Sequence, residues 1–362
     1  MKATLLSFIC CPVCREDLRL DVIHRDQENI EAAILTCTAC SKLFPVVAGV
    51  PRLLPNAIND FYGFFKQYRS RISPEVWENN YRDENRKALE KMLKKQKCTQ
   101  KSFSLEWSFQ GKETVTWRFT PEERAQRVVH QALQLTEAAC RDKVFLDAGC
   151  GNGLLTEELG NYFSTVVGID LSYSVEQAHR RNTRSNVHFI QGDLMHPPLK
   201  FGAFDIIFSS GVLHHTPNTE LTFSCLTPLL KPGGRFYMWL YHPIKSFHHQ
   251  MMLRLRKIFY RLPLKFNAYF FLITFVPFAL AKRKLKNMFS KNKTVELPWR
   301  VQLINFIDGL TPRYRYEHTP EEVSVWYRKR NFHNITVTIR DHFGFGIFGD
   351  LRKNESSSEK RL

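Results

Sequence analysis

The sequence predicts an α/β fold, a parallel sheet flanked by helices and preceded by a small cysteine-bearing ribbon. Three observations carry this. A short apolar run (Val144, Phe145, Leu146) meets the turn Asp147-Ala148-Gly149-Cys150-Gly151-Asn152-Gly153, and a helical pattern with Leu154, Leu155 and Leu159 comes next. Apolar runs and helical patterns keep alternating beyond it, which is how βαβ units read in sequence. Near the start, Cys11-Pro12-Val13-Cys14 and Cys37-Thr38-Ala39-Cys40 stand twenty-two residues apart.

Strand, glycine turn and helix in that order suit a nucleotide-like ligand. Glycines let backbone come close, and the new helix offers free N–H groups at its start. The spacing is G-x-G-x-G, and Leu154 stands where a dinucleotide fingerprint has Gly or Ala. Asp147, ahead of the first glycine, can meet a cationic ligand. These details point away from NAD and towards S-adenosylmethionine (SAM). Leu146 to Gly153 resembles the first motif of the class I SAM-dependent methyltransferases. The competing reading is a tight turn in an ordinary α/β sheet.

Later elements decide between the two. Val166 to Asp170 is a buried strand ending in an acid, twenty-three residues after Asp147. An aspartate at that place can accept both ribose hydroxyls. Asn186 to Ile190 is a third strand, and Gln191-Gly192-Asp193-Leu194 comes after it. The resemblance implies that Asp193 contacts the adenine amino group, and Leu171 and Leu194 beside the two acids are placed in the same cofactor site. Phe204 to Phe208 is a fourth strand. Its end, Ser209 to His215, matches the place where the family lines the methionine end of SAM, which brings in Ser210 and Gly211. Lys231-Pro232-Gly233-Gly234 turns into a fifth strand, Arg235 to Leu240. Thr120-Pro121-Glu122-Glu123 and Thr319-Pro320-Glu321-Glu322 read as helix starts, with a threonine cap, an early proline and a returning glutamate. Asn334 to Phe343 and Gly344 to Leu351 read as a closing pair. The resemblance thus implies a Rossmann-like, seven-stranded class I methyltransferase sheet with a closing antiparallel hairpin, and the cysteine pairs ahead of it read as a small N-terminal zinc ribbon.

Four thiolates at the spacing of Cys11, Cys14, Cys37 and Cys40 can close a tetrahedral zinc site, and closed sites are structural. A redox role for a C-x-x-C pair would need a βαβ context that is missing. Cys10 is a spare. The phrase Leu43 to Leu54 resembles the zinc-ribbon family typified by the activator subunit of tRNA and protein methyltransferases. In that family the ribbon is a scaffold and docking surface. The chain has nine cysteines and no credible export signal, so reduced thiols and a cytoplasmic location are expected, with a peripheral membrane association as a variant.

A formal charge of +17 suggests an anionic partner. Between Lys245 and Arg300 thirteen basic residues face one acid, Glu296, a net +12. Within that stretch Phe266 to Ala281 is almost wholly apolar. Sixteen residues make a helix of roughly 24 Å, short of a hydrocarbon core of about 30 Å, and Pro277 interrupts it. A lid over the substrate pocket and a helix lying in an anionic membrane surface both suit it; spanning and an RNA groove are the weaker readings. Earlier, Glu84 to Lys97 reads as a solvated helix. Phe103 to Trp107 with Trp117 looks like the arm that many small-molecule methyltransferases lay over their cofactor, or else simply glues the ribbon to the core. The expected division is a ribbon at 1–55, a helical and aromatic arm at 56–119 and the SAM-binding core at 120–243. The basic insertion then fills 244–310, the end of the core 311–353 and a disordered tail 354–362.

Methyl transfer needs a base only if the acceptor arrives protonated. Candidates near the methyl position are His214, His215, Tyr241 and His242, with His215 and His242 the foremost; each can equally be a hydrogen-bonded wall. The Asn/Asp-Pro-Pro-aromatic motif of amino-group methylation is absent after the fourth strand, and Cys225 falls on a helix, away from a pyrimidine nucleophile's place. The expected activity is methylation of an O or C atom on a small acceptor, lipid- or glycan-linked acceptors included. An RNA methyltransferase acting on rRNA or tRNA and a non-catalytic scaffold are the alternatives. Oligomeric state is not legible.

Overall fold

The computed structural model describes residues 1–81, 100–101, 103–105, 119–289 and 298–353. The expected helix at Glu84 to Lys97, Trp107, Trp117 and the tail at 354–362 lie outside these residues. The first four strands are Leu18–Asp26 (β1), Asn29–Cys37 (β2), Leu43–Val47 (β3) and Val50–Leu53 (β4). They form an antiparallel meander. The ribbon phrase after Lys42 is therefore two strands, turned by Ala48 and Gly49, both at positive φ.

The core begins with a helix at Pro121–Arg127 (α1). Its start is the expected capping box: Thr120 Oγ1 accepts from the Glu123 N–H at 3.2 Å, and the Glu123 carboxylate accepts from the Thr120 N–H at 2.9 Å. Val144–Ala148 (β5), Leu154–Leu159 (α2), Thr165–Asp170 (β6), Ser174–Arg181 (α3) and Val187–Gly192 (β7) come next. Then come Phe204–Ser210 (β8), Thr219–Leu226 (α4) and Leu230–Tyr241 (β9). β5 to β9 are parallel to one another, and β7 is buried along its whole length.

The insertion is helical: Phe247–Phe259 (α5), Leu264–Ile273 (α6), Phe275–Phe289 (α7) and Trp299–Leu310 (α8). Pro320–Lys329 (α9) leads back to the sheet, where Phe332–Arg340 (β10) and Gly344–Leu351 (β11) form the expected hairpin. Thr319 caps α9 through the Glu322 N–H, but the box is not completed, because the Glu322 carboxylate faces His318 Nδ1 at 3.1 Å. β11 runs antiparallel to β9.

Among the described residues all eleven strands form one sheet, in the order β1-β2-β3-β4-β7-β6-β5-β8-β9-β11-β10. The last seven positions are the class I methyltransferase arrangement. The first four continue it, because β4 pairs in parallel with β7, Arg52 opposite Gln191 and Leu53 opposite Gly192. Ribbon and core also share one interior: Leu5, Ile9, Phe44 and Leu53 pack in the same cluster as Leu146, Ile190 and Leu199. Arg52 is fully buried at the seam, 2.7 Å from the Glu176 carboxylate and 3.2 Å from Gln191 Oε1. A buried guanidinium is tolerated only when paired in this way.

The insertion has a separate interior of Phe259, Phe271, Val276, Leu303, Ile307 and Leu310. α6 and α7 together run through 264–289, and by length and composition this stretch is long and apolar enough to cross a membrane. It is longer than the sixteen apolar residues of the sequence suggest, since the helix continues through the lysines. It is interrupted at Thr274, where Pro277 has no N–H to give the Ile273 carbonyl.

Candidate active site

Five strands, β5 to β9, end at the carboxyl edge of the parallel sheet, and the residues at and after their ends build the site. After β5 the backbone turns through Gly149, Gly151 and Gly153, all at positive φ. A side chain at Gly149 would stand 2.3 Å from the Val212 side chain, and one at Gly153 would stand 2.5 Å from Ala178. Only glycine lets this loop pack between the turn after β8 and α3. Asp147 is nearly covered. One of its oxygens accepts from Thr156 Oγ1 at 2.6 Å, which braces the start of α2, and burial pushes its carboxyl up to about 6.

Asp170 ends β6 and stays partly exposed. One oxygen accepts from the Gly151 N–H at 2.9 Å; the other accepts from the Ser172 N–H at 2.8 Å and Ser172 Oγ at 2.6 Å. Ser174 Oγ donates to the Gly151 carbonyl at 2.7 Å, so loop and strand end are tied twice. The Leu171 carbonyl accepts from Gln100 and Gln191, each at 3.0 Å. Asp193, after β7, accepts from the Met195 N–H at 3.0 Å and faces His196 Nδ1 at 3.1 Å; this contact raises the His196 pKa. Leu194 beside it is buried. Ser210, the last residue of β8, is exposed, and Gly211 at φ 76° has nothing within 4 Å of where a side chain would begin. A partly exposed carboxylate on the loop's own N–H and open space at Gly211 fit a ribose-bearing cofactor held along this edge.

His214 and His215 lie next along the chain, both buried. His215 Nδ1 sits 2.8 Å from the Tyr314 carbonyl, so this nitrogen carries the proton and Nε2 carries the lone pair. Among the described residues, Nε2 of His215 and both ring nitrogens of His214 have no hydrogen-bond partner. Burial lowers His215 to about 4 and His214 well below the ordinary histidine value, so both rings are neutral at pH 7. Asp308, on α8, places one oxygen 3.7 Å from His215 Nε2 and accepts from the Tyr241 hydroxyl with the other at 3.1 Å. The Tyr241 ring lies 4.1 Å from His214 and under the Arg315 guanidinium. Arg256 of α5 is buried and bonded to the Gly309 and Pro312 carbonyls; burial lowers its pKa to about 10, so it stays charged.

Sequence reasoning missed Asp308. Its only signal was an acid ending a long basic stretch. His242 is placed differently from His215: its ring nitrogens each lie 3.2 Å from a carbonyl, of Pro243 and of His342, the geometry of a wall. Phe103 and Ser104 touch two sides of the site. Ser104 Oγ accepts from the Tyr173 N–H at 3.1 Å, and the Phe103 ring meets His215 edge-on at 5.4 Å. An open pocket of about 880 Å³ lies at the opposite, amino edge of the sheet, among the ion pairs Lys231–Asp205 and Arg235–Asp350.

In the ribbon the sulfurs of Cys11, Cys14, Cys37 and Cys40 all lie within 4.8 Å of one another, with Cys14 3.3 Å from Cys37 and 3.4 Å from Cys40. Tetrahedral zinc at 2.3 Å from each sulfur would hold them about 3.8 Å apart. The Val13 and Cys40 N–H groups point at the Cys11 and Cys37 sulfurs. Arg15 and Ser41, each next after a knuckle's second cysteine, both adopt positive φ. The donor set fits a closed structural site. Cys10 stands outside it.

The fold is therefore that of the class I methyltransferases. Residues 146–238 match the family model described as a methyltransferase domain. The ubiquinone biosynthesis O-methyltransferase of Coxiella burnetii is 32% identical over 100 residues, 27% of this chain and 43% of that protein. The chain thus spans less than half the length of that relative. Among solved structures, magnesium protoporphyrin IX methyltransferase of Synechocystis, with bound S-adenosylhomocysteine, is similar over 72% of this chain and 99% of its own at 15% identity and a TM-score of 0.43. A complex containing the Trm112 methyltransferase activator of Haloferax volcanii is similar over 64% and 93% at 12% identity and a TM-score of 0.38.

Proposed function

We propose that this chain is a SAM-dependent methyltransferase acting on a hydroxyl of a small acceptor, with His215 as the base. The observation that carries the reading is the glycine loop's contact with the turn after β8. Gly149 packs on Val212, and the His215 N–H donates to the Val212 carbonyl at 2.8 Å, so cofactor loop and histidine share one wall. Asp170 holds the ribose, Asp193 and Leu194 lie on the adenine side, Leu171 flanks it, and Ser210 and Gly211 border the methionine end. SAM, when bound, supplies a methyl group already activated on sulfonium. The protein then has to align the acceptor, exclude water and take one proton. His215 Nε2, neutral and unpartnered, is the proton's place. Asp308 at 3.7 Å stabilises the imidazolium once it forms, and Tyr241 keeps that carboxylate turned inward. Phe103 and Ser104 cover the cofactor. His242 is assigned to the wall.

Zinc on the four cysteines holds the ribbon, which serves as scaffold, and the setting is cytoplasmic. The test is calorimetry with SAM. Asp170→Ala should weaken binding by roughly a hundredfold, since two charge-assisted hydrogen bonds are lost. No binding to the parent chain would overturn the proposal, and unchanged binding by the variant would overturn the ribose assignment. Comparing metabolites between a deletion strain and its parent would identify the acceptor.

A further inference from the structure

The insertion has two kinds of surface, and its interior accounts for one of them. On α5, Phe247, Met251 and Ile258 fall on one stripe of the helix and are exposed, while Phe259 turns inward. On α6, Phe266, Tyr269 and Ile273 recur at spacings of three and four, each more than half exposed, opposite the buried Asn267 and Phe271. On α7, Phe278, Leu285 and Phe289 repeat the arrangement, and Phe289 is 82% exposed. Large apolar surface left bare on a folded domain marks an interaction site.

Cations accompany the bare stripes. Arg254 lies within the stripe of α5, and Lys257, Arg261, Lys265, Lys282 and Lys284 are exposed around it and its neighbours. Glu296 is the single acid between Lys245 and Arg300. A protein's apolar face would cover the aromatics and leave the cations without counter-charge. A nucleic acid would answer the cations and leave the phenylalanines in water. An anionic bilayer surface answers both, because apolar side chains sink to the acyl boundary while lysine and arginine stay among the headgroups.

We propose that the outward faces of α5, α6 and α7 form a peripheral docking surface for anionic lipid headgroups, with Phe266, Tyr269 and Ile273 below the headgroup plane. The docking is lateral rather than spanning. Phe271 and Val276 are committed to the same interior as Leu303 and Ile307 of α8, so one face of the α6–α7 pair, and not its whole circumference, is left for lipid.

The test is cosedimentation of the full chain with vesicles of phosphatidylglycerol and phosphatidylcholine, against phosphatidylcholine alone. The chain should bind the anionic vesicles and lose affinity as salt rises. The combined change Phe266→Glu, Tyr269→Glu, Ile273→Glu should weaken binding by roughly a hundredfold while the melting temperature holds, since these side chains are bare. If that variant does not fold, Phe247→Ser with Met251→Ser on α5 should still weaken binding by roughly tenfold. Four results would overturn the proposal: no sedimentation with anionic vesicles at low salt, equal binding to neutral vesicles, retention on membranes through an alkaline carbonate wash, or a solution dimer that the α6 variant dissolves. The measurement needs neither SAM nor acceptor, so it fails or succeeds independently of the proposed activity.

Discussion

The ribbon and the helical insertion are both additions to one seven-stranded sheet, attached by opposite means. The ribbon joins by backbone: β4 extends the ladder at β7, the two share an interior, and a buried Arg52 locks the seam. The insertion keeps an interior of its own and reaches the core through side chains, above all Asp308 beside His215. An addition that shares the core is expected to set stability and leave chemistry alone. One that sends a single carboxylate into the site should do the reverse.

The sharpest way to break this contrast is Cys37→Ser. It should remove the zinc and cost on the order of 5 kcal/mol, read as loss of cooperative melting of the whole chain. A ribbon that melted alone while the core held would refute the shared interior. Next is His215→Gln, which should lower kcat by roughly 10² to 10⁴ with SAM affinity unchanged. Because burial depresses His215 to about 4, the parent should show no histidine limb near pH 6.5. Stability should respond in the same direction: the unfolded chain binds the proton more readily, so the contribution of the neutral ring is complete above pH 6.5 and lost as pH falls to about 4. The fall in melting temperature from pH 7 to pH 5 should be smaller in His215→Gln than in the parent, and an equal fall would count against the buried neutral ring. Arg52→Met should cost about 2 kcal/mol in denaturant unfolding, discounted because Glu176 is partly exposed, with kcat unaltered. The smallest effect belongs to Asp308→Asn: roughly a tenfold fall in kcat with unchanged melting. If Asp308→Asn unfolded the protein and Arg52→Met slowed turnover, the contrast would be inverted.

Much of the core was legible because its signals are local. A glycine turn between a strand and a helix, acids at strand ends and a threonine cap depend on residues a few positions apart. The zinc knuckles were legible for the same reason. Features that depend on distant partners were not. Arg52 reads as an ordinary basic residue until β7 is beside it, and Asp308 is silent until α8 brings it 93 residues back to His215. The separation of His215 from His242 was likewise invisible, because it turns on which ring meets the carbonyl of His342 in the hairpin turn. The insertion's helices ran longer than their apolar stretch, since lysines continue a helix as readily as leucines do.

The pairing of β4 with β7 also settles how an unusually wide sheet avoids sticking to its neighbours. Without the ribbon, β7, buried and regular, would offer a bare row of N–H and C=O groups to any passing strand. At the carboxyl end of β7, Gln191 and Gly192, the ribbon moves that boundary out to β1, where the pairing is irregular between Val22 and Arg25 and Arg19, Asp21, Arg25 and Asp26 supply charge. At the far boundary β10 is irregular too, around Asn334 at positive φ. Bulged and charged margins of this kind resist strand addition. Removing the chain through β4 would therefore be expected to yield a protein that aggregates through the end of β7 even where its core still folds.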